Sequence, residues 1–187
     1  DTIQIWYDGG ITFDIGVTVE NVENINAQWT DTIININGDE GDNWIRANNA
    51  NDNIIYGGGG NDEIDGLLGN DTMYGGTGDD IFHVYDPGDI VIEYENEGLD
   101  KVLWFESSLT QVNMITDLQH IENIDASSST AALEIIGNSL NNEIIGNNKS
   151  NILNGGEGSD ILIGGLGDDS YYIDNVNDVI TELENQG

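Results

Sequence analysis

The sequence has no cysteine, one proline and, against 36 acidic residues, three cationic side chains, Arg46, Lys101 and Lys149. Without cysteine the fold has no disulfide staple, a common device in extracellular proteins of this size, and a bound metal is the natural substitute. The formal charge of −33 removes the basic footprint that nucleic acid requires and sets the chain against anionic membrane surfaces. No apolar run is long enough to span a bilayer, and no signal-peptide pattern is visible, so membrane insertion is not expected. Asp1 is an unlikely native start, which suggests a segment of a longer parent chain.

Catalytic signatures are missing as well. There is no G-x-S-x-G and no H-E-x-x-H. His83 and His120 are isolated in the sequence, and His83 falls at an outward position. Adjacent carboxylates abound, but only as the background of any chain this acidic. We expect no catalytic residue and no enzyme. The four tryptophans, Trp6, Trp29, Trp44 and Trp104, are better used in strand or core packing than on sugars.

What the sequence has is glycine, 25 residues of it, on a fixed period. From Gly57 to His83 it reads GGGGNDEID, GLLGNDTMY, GGTGDDIFH; a second run from Gly137 reads GNSLNNEII, GNNKSNILN, GGEGSDILI, GGLGDDSYY. Each block of nine places Gly at position 1, Asp or Asn at position 6 and an apolar residue at position 8, with Gly at position 4 in the best blocks. Successive glycines permit a tight bend. Such a turn gathers main-chain carbonyls, and the Asp adds a carboxylate, a donor set suited to a hard cation such as Ca²⁺. The position 8 residue points inward on a short strand. One block cannot bury it alone, so the blocks must stack. A compact body of this charge also repels itself unless counter-ions bind.

The pattern GGxGxDxUx, with U apolar, resembles the RTX (repeats-in-toxin), or haemolysin-type, calcium-binding nonapeptide repeat; Gly57–Asp65, Gly75–His83, Gly155–Ile163 and Gly164–Tyr172 fit all four fixed positions. The resemblance implies an all-β, right-handed parallel β-roll in which two nonapeptides make one turn and several Ca²⁺ ions sit between turns on the same side, two repeats apart. The ligands so implied are the carboxylates of Asp62, Asp71, Asp80, Asp89, Asp160, Asp169 and Asp178. Asn53 and Asn151 join them through side-chain oxygens, with weak or absent metal at the Asn turns. Turn carbonyls complete each shell, drawn from Gly57, Gly59, Gly66, Leu68, Gly75, Thr77, Gly155, Glu157, Gly164 and Leu166.

The two runs belong to a larger repeat. Val22-Glu-Asn-Ile25 recurs 99 residues later as Ile121-Glu-Asn-Ile124, and Asp89-Ile-Val-Ile-Glu93 recurs 89 residues later as Asp178-Val-Ile-Thr-Glu182. This divides the chain into 1–98 (strand lead 1–37, repeats 38–92, closing strand 93–98) and 99–187 (strand lead 99–136, repeats 137–181, closing segment 182–187). Asp8-Gly9-Gly10 and Asp86-Pro87-Gly88-Asp89 read as turns, and Ser107 to Asp117 leaves room for a short helix.

Positions 7 and 9 flank the inward residue and point outward. One face of each unit is apolar there, with Ile54, Ile90 and Ile92 in the first and Ile145, Ile161 and Ile163 in the second. A patch of this kind is seldom left bare, so a cover over it is expected, from the leads or another unit. The expected function is a calcium-dependent structural or spacer module of a secreted protein, of adhesin or surface-layer type, that folds on meeting extracellular Ca²⁺. Its neighbours would be adjacent repeat units of the parent chain. Two alternatives stay open: a carboxyl-side export and folding module of a larger enzyme or toxin, and a module that binds a polysaccharide or another cell-surface ligand.

Overall fold

The structure is a computed structural model. It describes residues 1–4, 11–14, 22–28, 34–49, 52–114 and 116–182, of which 11–14 are described in the backbone alone. The chain separates into two compact units, Asp1–Asp100 and Lys101–Gly187. Among the described residues every regular element is a strand.

Unit one contains β1 (Thr2–Gln4), β2 (Ile11–Asp14), β3 (Asn24–Asn26), β4 (Ile34–Asn37), β5 (Trp44–Arg46), β6 (Ile54–Gly59), β7 (Glu63–Asp65), β8 (Thr72–Thr77), β9 (Ile81–Val84) and β10 (Ile90–Ile92). Unit two contains β11 (Lys101–Trp104), β12 (Gln111–Asn113), β13 (Asn123–Asp125), β14 (Glu134–Ile136), β15 (Glu143–Ile145), β16 (Ile152–Asn154), β17 (Ile161–Ile163), β18 (Ser170–Tyr172) and β19 (Val179–Thr181). In each unit alternate strands go to opposite sheets. Unit one has β1-β3-β5-β7-β9 facing β2-β4-β6-β8-β10; unit two has β11-β13-β15-β17-β19 facing β12-β14-β16-β18. The pairing is parallel, as between β7 and β9 or β15 and β17. Each unit is therefore a parallel β-solenoid.

A three-residue strand buries its middle residue and turns the flanking two outward. The inward residues stack in columns: Ile25, Ile45, Ile64 and Phe82 on one sheet of unit one, Ile36, Ile55, Met73 and Val91 on the other, all buried. Unit two repeats this with Val102, Ile124, Ile144 and Leu162 facing Val112, Ile135 and Leu153.

The leads supply strands β1–β4 and β11–β14. They coil in the same solenoid, because the inward residue of Val22-Glu-Asn-Ile25 or Ile121-Glu-Asn-Ile124 meets the column that the nonapeptides continue: Ile25 pairs with Ile45, and Ile124 with Ile144. Residues 93–98, expected as a closing strand, carry none; Glu93 there turns inward to bind backbone. Ser107 to Asp117 holds β12 and turns in place of a helix. Trp6, the Asp8-Gly9-Gly10 turn, Trp29 and residues 183–187 lie outside the described residues.

Among the described residues no cover lies over Ile54, Ile90 or Ile161. Ile90 is 53% and Ile161 42% exposed, with Ile54 and Tyr56 also exposed, while Asp65 on the opposite face of unit one is only 4% exposed. The outward isoleucines follow strand preference, since β-branched side chains suit a pleated surface whether or not anything lies over it. Asp65 is shielded instead by its own row: Arg46 pairs with it at 3.0 Å, and in the adjoining row His83 Nε2 lies 3.0 Å from Glu63 Oε1. His83 is thus engaged in a cross-strand pair rather than bare on the surface. Trp104 is buried, and Arg46 lies 5.9 Å over the ring of Trp44.

Candidate metal centre

Each position 6 side chain hangs from the turn that precedes a strand, and its carboxylate reaches back one full coil. Asp80 Oδ1 accepts the amide of Asp62 at 2.7 Å, eighteen residues earlier. Asp62 Oδ1 accepts the amide of Asn43 at 2.8 Å, and Asp100 Oδ1 that of Asp80 at 2.9 Å. The second edge of unit one repeats the device, with Asp71 on Asn53 at 2.7 Å and Asp89 on Asp71 at 3.0 Å. In unit two Asp160 takes Asn142 at 2.8 Å, Asp178 takes Asp160 at 3.1 Å, and Asp169 takes Asn151 at 2.7 Å. These bonds bring together the residues that the nine-residue register pairs two repeats apart.

The second carboxylate oxygen decides what the turns can do. Oδ2 of Asp62, Asp71, Asp80, Asp160 and Asp169 is shut away from solvent and accepts no hydrogen bond. A buried anionic oxygen left in this state costs several kcal/mol unless it meets a positive partner or a proton. Each faces a niche kept open by the position 1 glycine. A Cβ on Gly57 would collide with Asp62 Oδ2 and stand 2.6 Å from the carbonyl oxygen of Gly75; Gly66, Gly155 and Gly164 face Asp71, Asp160 and Asp169 in the same way. The bend itself needs glycine at positions 2 and 4, where Gly58, Gly60, Gly156 and Gly158 have φ between +84° and +135°. Leu67, in the imperfect block GLLG, is held at φ +68°.

Electrostatics agree with the geometry. Burial pushes the carboxyls of Asp62 and Asp71 up to about 7, and that of Asp80 up to about 6, against the backbone amides that favour their charged forms. Burial also raises Asp160 and Asp169. Metal-free, these turns favour a proton; a divalent cation in its place would be held by carboxylate and carbonyl oxygens alone.

Four residues of the expected ligand set are engaged differently from the five with a buried, unbonded Oδ2. Asp89 and Asp178 use both oxygens as acceptors of backbone amides: Asp89 Oδ2 takes Tyr85 at 3.0 Å and Asp86 at 3.1 Å, and Asp178 Oδ2 takes Asp174 at 3.1 Å and Asn175 at 3.0 Å. Hydrogen bonding from the Asn175 amide leads the causes that hold the Asp178 carboxyl below its ordinary range. Asn53 and Asn151 are rungs of the ladder. Asn53 Oδ1 accepts Ile34 N at 3.2 Å and Asn151 Oδ1 accepts Leu133 N at 3.2 Å, while their Nδ2 groups donate to Asp71 Oδ1 and to the Lys149 carbonyl. An NH₂ group is a donor, so it satisfies from within the turn the oxygens a cation would otherwise serve. Leu68, Glu157 and Leu166 stand in the turns, Gly59 and Thr77 end β6 and β8, and Leu68, Thr77, Glu157 and Leu166 are exposed.

Other contributors escape the motif. Position 5 builds a second ladder running the opposite way: Asp42 Oδ1 accepts Asn61 N, Asn61 Oδ1 accepts Asp79 N, and in unit two Asn141 Oδ1 accepts Ser159 N, at 2.8 to 2.9 Å. Its mixture of Asp, Asn and Ser hid it. Asp100 continues the Asp62–Asp80 column at a spacing of twenty residues, outside the nine-residue register. Glu93 stands where a nonapeptide would have its first glycine and accepts the Gly75 amide at 2.8 Å; the D-x-V/I-x-x-E ending of both units was its one visible sign.

No curated protein matches the chain. Among protein families, residues 35–59, 49–82 and 136–171 match the RTX calcium-binding nonapeptide repeat in four copies. The matched segments, one stretch in each solenoid, carry the turns whose niches, glycines and orphaned Oδ2 atoms have just been described, and these segments are RTX calcium-binding nonapeptide repeats.

Proposed function

We propose that the chain is a calcium-dependent structural spacer of a secreted RTX protein, of adhesin or surface-layer type, folding when it reaches extracellular Ca²⁺. The observation that carries this reading is the repeated orphan: five Asp Oδ2 atoms, buried and without a hydrogen-bond partner, each beside a glycine niche. When bound, Ca²⁺ supplies the positive charge that such oxygens lack. The chain's own part is to fix the other oxygen. Oδ1 is tied to the preceding coil, so in the folded chain Oδ2 is aimed into the niche.

The charge pattern supports the same reading. With −33 formal charges, the coils repel one another, and ligand that binds only the folded state shifts the equilibrium in proportion to the logarithm of its concentration. Neighbouring repeat units of a parent chain are the expected partners. Among the described residues no helix is long and apolar enough to cross a membrane. Circular dichroism during Ca²⁺ titration, with native mass spectrometry, tests the proposal: a disordered spectrum in chelator that becomes β-rich as ions load supports it, and a β-rich spectrum with no ion bound at millimolar Ca²⁺ overturns it.

A further inference from the structure

At the carboxyl-terminal end of unit one, three carboxylates converge: Asp80, Glu93 and Asp100 each offer an oxygen within 4.8 Å of the others. All three are buried, with 0%, 4% and 1% of their surface exposed. One oxygen of each is anchored to the solenoid. Asp80 Oδ1 accepts Asp62 N, Glu93 Oε1 accepts Gly75 N, and Asp100 Oδ1 accepts Asp80 N. Asp80 Oδ2 and Glu93 Oε2 are inaccessible to solvent and take no hydrogen bond. The cationic side chains with ion pairs among the described residues are committed to other carboxylates, Arg46 to Asp65 and Lys101 to Asp125. Close carboxylates out of water repel strongly and cannot all ionise without a compensating charge.

We propose that at the Asp80 turn the divalent cation is held by three side-chain carboxylates, Asp80, Glu93 and Asp100, two of which lie outside the nonapeptides. The inference rests on the reading of the turns as cation sites, but it differs from that reading in its donors. Glu93 brings a charged side chain to turn position 1, where the nonapeptides keep a glycine. Asp100 closes the column after a coil that is two residues longer than the standard eighteen. A small, highly charged pocket of this kind suits a hard divalent ion.

Unit two provides the contrast. Glu182 stands 89 residues after Glu93, and Tyr171 stands 89 residues after Phe82. The Tyr171 hydroxyl donates to Glu182 Oε1. Phe82 has no hydroxyl to give, so in unit one the glutamate's charge meets no such donor. The contrast is between a glutamate bonded by a tyrosine hydroxyl and one that faces two aspartates.

Ca²⁺ counting on the intact chain by native mass spectrometry and calorimetry tests this, with Glu93→Gln, Glu182→Gln and Asp62→Asn compared to the parent. The expected result is one ion fewer for Glu93→Gln, an unchanged count for Glu182→Gln, and a loss at a different site for Asp62→Asn. If Asp62→Asn loses an ion while Glu93→Gln keeps the parent count, the triad is not a site although the turns are. If the parent binds no Ca²⁺ at all, the underlying reading fails first. Should Glu93→Gln not fold, Phe82→Tyr serves in its place: a hydroxyl offered to Glu93 weakens one ion's binding, and an unaltered isotherm for a folded Phe82→Tyr overturns the proposal.

Discussion

The amide of Asp71 donates to Asp89 Oδ1 across 3.0 Å, while Asp89 Oδ2 accepts the amides of Tyr85 and Asp86, so this carboxylate is fully used by the backbone. Asp71 itself keeps a buried Oδ2 without a partner. The same residue type at the same repeat position therefore does two jobs in one column. Asp89 closes the ladder, and Asp71 aims a charge into a niche.

The division predicts opposite consequences for substitution. Asp71→Asn removes a cation ligand but retains an acceptor for Asn53, so the Ca²⁺ count falls by one. Asp89→Ala leaves three backbone amides without their acceptor, and it should destabilise the Ca²⁺-loaded fold by about 1–3 kcal/mol with the count unchanged. Native mass spectrometry and urea unfolding, run on both variants, separate the two effects; equal losses of ions from both would contradict the assignment.

Protons should replace cations in part. In the folded, metal-free chain burial lifts Asp62 and Asp71 to about 7, Asp80 to about 6 and Glu93 to about 8, from ordinary values of 3.8 and 4.5. A carboxyl whose folded pKa is raised binds more protons folded than unfolded, so its contribution is fully present below the unfolded value and is lost as pH rises through the folded one. In chelator the β signal should therefore grow as pH falls from 8 towards 5. Ca²⁺ binding at pH 6.5 should release protons, measurable as a dependence of the calorimetric heat on buffer ionisation. Identical heats in buffers of different ionisation enthalpy would speak against it.

Glycine at position 1 is required for space rather than for a special backbone angle. In Gly155→Ala the new methyl would meet Asp160 Oδ2, block the niche and destabilise the loaded protein by ~2 kcal/mol or more. The effect should shrink in the background Asp160→Asn, where the niche no longer serves a charge. Additive losses in the double variant, read from thermal melts in Ca²⁺, would show that the two residues do not share a site.

Much of this was legible in the residues. The apolar residue at position 8 repeats every nine, and a stack is the simplest way to bury it, so Ile64, Met73, Phe82, Leu153 and Leu162 were readable as core. The carboxylates at position 6 were readable as a column for the same reason. What the register could not convey is how each carboxylate spends its second oxygen, because that depends on turns with other spacings: the amides of Tyr85 and Asp86 donate to Asp89, and the twenty-residue coil delivers Asp100. Outward isoleucines such as Ile90 misled because strand preference and burial select the same side chains. The leads were legible as strands, while their place in the same columns, Ile25 on Ile45 and Ile124 on Ile144, falls at spacings outside the nine-residue period.

The backbone amides bound by the position 6 side chains of the following coil all point one way. In every one of these bonds the amide belongs to the earlier coil and the acceptor to the coil that follows, from Asn43 on Asp62 to Asp160 on Asp178. A coil is thus incomplete until the next has been delivered, whatever the ion supply. During synthesis or threading through a narrow passage, amino end first, the leading coils must wait for residues about one turn behind them. On this ladder each amide therefore waits for the coil behind it, while the position 5 ladder closes in the opposite order.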